Sequence, residues 1–244
     1  MPGDWDGVEK AIDGQRRRLI ENYAIYRDVS VYLDKSGYCC GRLDTHDGYV
    51  EVMFSLQASG SHNVAVWQVM PGIAEVNLLD SNGEFLTRFI SFVDDPHMYP
   101  WYSLDAIGEP ARYNEYHIGA VAVDLTVYDS EEEWDKAQEP GAISPPTGPR
   151  LVLSPYAFTL HDGRSKAEEA SPIAMFKAVI KEIEVVTIHL TGIKWYKAIA
   201  DCGFDVALAL PIHISPAPHL GSVVDGEAFM TGTSGNWGPP VDQD

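Results

Sequence analysis

From residue 28 onward, apolar and polar positions alternate with a period close to two. Val29, Val31 and Leu33 share one face of a first segment, and Val50, Val52, Phe54 and Leu56 share one face of another. Residues 38–43, 64–69, 74–79, 84–93, 117–128, 185–190 and 204–214 add further strand-length stretches. Turn signals separate them: Lys35-Ser36-Gly37, His46-Asp47-Gly48, His161-Asp162-Gly163, and Asp80-Ser81-Asn82-Gly83, where Asn-Gly suits the positive φ angles of a type I′ turn. Four stretches read as helical. In residues 4–27, Val8, Ile12, Leu19 and Tyr23 recur at helical spacing behind Asp4 or Asp6, with Gly14 weakening the middle. Ser130 caps a short acidic helix through Gln138, with Glu131, Glu132 and Glu133 at its positive end. Ser171-Pro172 starts a third, whose stripe is Ile173, Phe176, Val179, Ile180 and Ile183, and residues 192–202 form a fourth. Residues 94–114 are irregular, 140–149 read as a linker, 151–160 as extended, and 215–244 as an irregular tail. The pattern predicts one domain over residues 1–244, mainly β: an antiparallel β-sandwich over 28–214 with a projecting N-terminal amphipathic helix over 4–27.

Composition narrows the function classes. Of 244 residues 45% are hydrophobic, yet no apolar run approaches the roughly 18 a membrane span needs. The first residues lack the basic and apolar regions of a signal peptide, so a cytoplasmic location is expected. Cys39 and Cys40 are adjacent and Cys202 stands alone, which gives no disulfide framework. Lys and Arg number 17 against 36 Asp and Glu, a formal net charge of −19, which argues against nucleic acid and anionic membranes as partners. Arg16, Arg17 and Arg18 form the strongest basic cluster, either a solvated face or an arm that docks on an acidic neighbour.

Catalytic motifs are missing. There is no phosphate-cradling Gly-x-x-x-x-Gly-Lys loop and no dinucleotide Gly-rich turn, and Gly232-Thr233-Ser234-Gly235-Asn236 fails the nucleophile-elbow pattern at its last position. In an alternating segment, Cys39 and Cys40 should split into one core and one surface thiol. Eight histidines show no short ligand spacing of the zinc type, with His213 and His219 six apart and His117 and His189 in separate strands. Asp94-Asp95 and the Glu131–Glu133 run read as solvated loops. No catalytic residue, metal or cofactor is expected, and the chain reads as a structural protein and not an enzyme. The alternative is a ligand- or carbohydrate-binding β-sandwich, with or without hydrolytic activity, that uses the aromatics around Trp101.

Several segments, in order, resemble the polyhedrins of cypoviruses, the insect-virus proteins that crystallise inside infected cells. These are Gln15-Arg16-Arg17-Arg18-Leu19-Ile20-Glu21-Asn22-Tyr23 leading into Asp28-Val29-Ser30-Val31-Tyr32-Leu33, then Pro100-Trp101 with Tyr113-Asn114-Glu115-Tyr116-His117, and Pro211-Ile212-His213-Ile214-Ser215-Pro216-Ala217-Pro218-His219-Leu220. The resemblance implies a β-sandwich with a projecting N-terminal helix, trimers, and a lattice that embeds virus particles in occlusion bodies in the host cytoplasm. It also implies dissolution at alkaline pH, for which 12 tyrosines and three cysteines supply titrating groups. Some family members bind nucleotides, so the resemblance alone leaves a bound nucleotide possible here, with no residue assigned to it. The expected assembly contacts are Val8, Ile12, Arg16, Arg17, Arg18, Leu19, Tyr23, Tyr26, Tyr99, Trp101 and Tyr102.

Overall fold

A computed structural model describes residues 15–57, 61–102, 109–138 and 148–235. Strand follows strand for most of that length. β1 (Arg17–Tyr23), β2 (Tyr26–Leu33), β3 (Tyr38–Thr45) and β4 (Val50–Leu56) form a four-stranded antiparallel meander. The turns after β2 and β3 are the predicted ones, with Gly37 and Gly48 both at φ 90°. The second sheet takes in β5 (His62–Met70), β6 (Ile73–Leu79), β7 (Phe85–Val93), β8 (Ala111–Tyr128), β9 (Leu151–Leu153), β10 (Ile173–Thr187), β11 (Lys194–Asp201), β12 (Asp205–Pro211) and β13 (Val223–Thr233). The result is sandwich-like and mainly β.

The long pair β8–β13 is the spine of the larger sheet. It closes one ring with β10, β11 and β12 and another with β5, β6 and β7. The β12–β8 and β7–β13 pairings are parallel, a departure from the expected all-antiparallel arrangement. Tight rings leave little interior volume, and small side chains fill it. Ala120, Ala174, Ala178, Ala198, Ala200 and Ala228 are all buried in the main core, together with Phe89, Phe176, Ile180 and Leu208.

Four expectations fail for related reasons. The expected helix over 4–27 is strand over Arg17–Tyr23, and the hairpin it enters turns through Asn22 (φ 53°) and Ala24 (φ 51°), conformations no α-helix contains. Val8 and Ile12 lie outside the described residues. The stripe after Ser171-Pro172 belongs to β10, where Ala174, Phe176, Ala178 and Ile180 are the inward residues at period two. Residues 192–202 likewise hold β11. The expected tail contains β13, whose glycines mark crowding: a Cβ on Gly232 would lie 2.5 Å from the Tyr116 hydroxyl.

Helices are few among the described residues. α1 (Glu131–Ala137) starts as expected, with the Ser130 side chain accepting from the Glu133 amide. α2 (Pro155–His161) occupies the stretch read as extended and packs Ala157 and Leu160 on Val69, Ile73 and Ile90. The Asp80–Gly83 turn is present, but only Gly83 has positive φ (82°), so it is a type I turn with a glycine bulge, not type I′. No described helix is long and apolar enough to cross a membrane.

Candidate functional site

The chemistry of the molecule is concentrated where β7 ends. Asp94 and Asp95 come directly after it, and both are fully buried, not solvated as the sequence suggested. Asp94 accepts from the Ser55 hydroxyl on β4, which ties the two sheets together. Asp95 accepts from the Tyr99 hydroxyl on one oxygen and from Ser234 on the other, through its amide (2.9 Å) and its hydroxyl (2.5 Å). Around it stand three phenol rings. Tyr99 meets Tyr113 at 5.9 Å and Tyr116 at 6.4 Å, and Tyr113 meets Tyr116 at 5.9 Å. The Tyr113 hydroxyl donates to the Met98 carbonyl at 3.1 Å.

Burial governs the titration of this cluster. It pushes the Asp95 carboxyl up, against the lowering effect of its donors. It pushes Tyr99, Tyr113 and Tyr116 up too, and the Asp95 charge reinforces the shift in each. The same cause acts elsewhere: burial raises Tyr26, Tyr32, Tyr38 and Tyr49, raises the Cys39 thiol, and pushes Cys202 up to about 12. All three cysteines are buried and free. Neither Cys39 nor Cys40 is the surface thiol expected of the pair, because Tyr32, Tyr38, Val52, Phe54 and Leu190 cover the Cys40 face of the meander as well.

The expected contact residues divide between core and surface. Tyr26 and Tyr99 are packed inside their own chain, the Tyr26 hydroxyl accepting from the Gln68 amide, so neither is available as a surface contact. Leu19 packs against the small core of the meander with Ile20, Val29, Leu43 and Met53. Arg16 is partly buried. Arg17 is exposed, and Arg18 pairs with Asp28 (2.5 Å) and Glu21 (3.1 Å) on the surface. Tyr23 and Trp101 are 42% and 43% exposed.

Trp101 and Tyr102 do not share a pocket. The chain runs extended there, bridged to β5 at Gln68, so successive side chains point to opposite sides. Tyr102 instead meets Trp67 and His161 edge-on at 6.4 and 5.5 Å. Beneath them, the buried Glu75 carboxylate accepts from Asn77 at 2.9 Å and lies 2.7 Å from His161 Nε2. No motif in the sequence marks this pair, since 86 residues separate its members. Among the described residues, no group of three or more His, Cys, Asp or Glu side chains is placed to hold a metal.

No family model, curated protein or solved structure matches the chain.

Proposed function

We propose that this chain is a self-assembling structural protein of the occlusion-body type, resembling cypovirus polyhedrins, and not an enzyme. In this reading, trimers pack into crystals in the cytoplasm of an infected cell, embed virus particles, and come apart at alkaline pH. One observation carries it. A strongly acidic chain buries the Asp95 carboxyl and the phenols of Tyr99 and Tyr116 in one cluster with raised pKa values, a design that is stable near neutrality and loses stability when phenols ionise. Exposed Arg17, Arg18 and Tyr23 of the first hairpin support surface contacts between copies.

Expression of the chain alone in cultured insect cells tests the proposal. Intracellular crystals that diffract, survive washing at neutral pH and dissolve above about pH 10, the range where phenols titrate, are the expected result. A chain that stays monomeric at high concentration overturns it. A second reading, ligand or carbohydrate binding, rests on Trp67, Tyr102, His161 and Glu75. Those polar groups already engage one another, which also fits a clasp holding α2 on the sheet. Binding of oligosaccharides that His161→Ala abolishes is the result that carries the second reading.

A further inference from the structure

Charge is unevenly divided over the surface. The segment from Arg16 to Asp28 carries four arginines against two acidic residues, in a chain whose net charge is −19. It folds as the β1–β2 hairpin at the edge of the meander, and its tip exposes Tyr23 and Ile25, 42% and 36% accessible. Arginine beside exposed tyrosine is the composition of a protein-binding surface.

The opposite composition occurs on the spine. Asp124 on β8 and Glu227 on β13 face each other directly across the ladder, both exposed, and no cation of the described residues pairs with either. Two carboxylates in that position repel each other. Apolar surface flanks them: Val123 in the bulge beside Asp124 is 45% exposed, and Met175, the β10 neighbour of Glu227, is 44% exposed. Nearby α1 adds Glu133, while its Glu131 and Glu132 pair with Arg150 and Lys136, and it is anchored through Trp134 Nε1 donating to Asp225, two residues from Glu227. Lys177 on β10 is already paired with Asp225 at 2.7 Å.

We infer that the β1–β2 hairpin of one copy docks on the Asp124–Glu227 row of the next. Arg17 relieves the repulsion of the two carboxylates, with Arg18, itself paired with Asp28 and Glu21, beside it, and the apolar tip at Tyr23 and Ile25 extends the contact beyond them. The two surfaces differ, so the contact is head-to-tail, and copies joined this way close into rings or grow outward. This rests on the reading that the chain assembles with itself.

The test is a charge swap, followed by sedimentation velocity on the full chain over a range of concentration at low salt. Arg17→Glu/Arg18→Glu and Asp124→Lys/Glu227→Lys each weaken self-association by about tenfold or more, since like charges then meet. Mixing the two variants restores association, because the acidic hairpin of one now fits the basic row of the other. Circular dichroism checks that both variants fold. Single variants that associate as the unmodified chain does overturn the contact but leave self-assembly standing. Two weakened variants that fail to rescue each other on mixing also overturn it, and an unmodified chain that never associates overturns both.

Discussion

At the scale of single residues, Asp95 and the glycines of the spine carry the most. Burial raises the Asp95 pKa, so the folded state favours the protonated acid. Its stabilising contribution is therefore complete below about pH 4, the unfolded value, and is lost as pH rises through the folded one. Asp95→Asn removes that titration. Urea unfolding across a pH series should show a shallower decline above pH 4 in the variant. Asp95→Ala strands the Tyr99 hydroxyl and both Ser234 donors, and it should cost about 3 kcal/mol in the same assay. Gly226 and Gly83 both have positive φ, yet they differ sharply in surroundings. A Cβ at Gly226 collides with the backbone carbonyl of Asp124, which cannot move without unpairing β8 from β13, whereas one at Gly83 meets open space. Gly226→Ala should cost about 3 kcal/mol or more and Gly83→Ala about 1 kcal/mol, measured as shifts in the denaturant midpoint.

At the scale of elements, the joints between the sheets matter most. Asp34, at the end of β2, accepts from the Tyr32 hydroxyl (2.5 Å), the Ser36 amide (2.9 Å) and the His189 amide (3.0 Å). The last of these fastens the tip of the β10–β11 hairpin to the meander. Burial pushes the Asp34 carboxyl up, but the hydrogen bonds outweigh it and hold the pKa below the ordinary value. A depressed folded pKa contributes stability above about pH 4 that is lost as pH falls through the folded value. Asp34→Ala should cost about 2 kcal/mol and speed amide exchange at residues 187–192 more than in β5 or β6. Elements also show where local signals mislead. Ser-Pro precedes both α2 and β10, and a cap followed by proline is a helix start in only one of them. The dipeptide sets a turn in the backbone, and the packing partner selects the element after it: α2 lies on Val69, Ile73 and Ile90, while β10 is claimed by β13 and β11.

At the scale of the whole molecule, the tyrosines act together. Tyr26, Tyr99 and Tyr116 are buried with raised pKa values. Their contributions are complete below about pH 10 and decline above it, because the unfolded chain ionises first, each by about 1.4 kcal/mol per pH unit. Three such groups remove about 4 kcal/mol per unit, enough to exhaust a typical domain's stability within a few units. Alkaline titration should therefore show phenolate absorbance rising in step with the loss of circular dichroism. Smooth ionisation of these phenols from pH 10 with the fold intact would contradict it.

By itself the sequence determined the β character of the chain, the boundaries of most strands from 28 to 128, the glycine turns and the α1 cap. Each depends on alternation or on backbone freedom that neighbouring residues supply. Only the tertiary structure decided that β10, β11 and β13 are strands. Their inward residues include alanine and glycine, whose small size suits tightly coiled rings but leaves almost no hydrophobic signal in a linear pattern. It also decided that Asp94, Asp95 and Cys40 are buried. Whether a polar residue meets water depends on which distant strand folds across it, and nothing within a few positions of the residue carries that information.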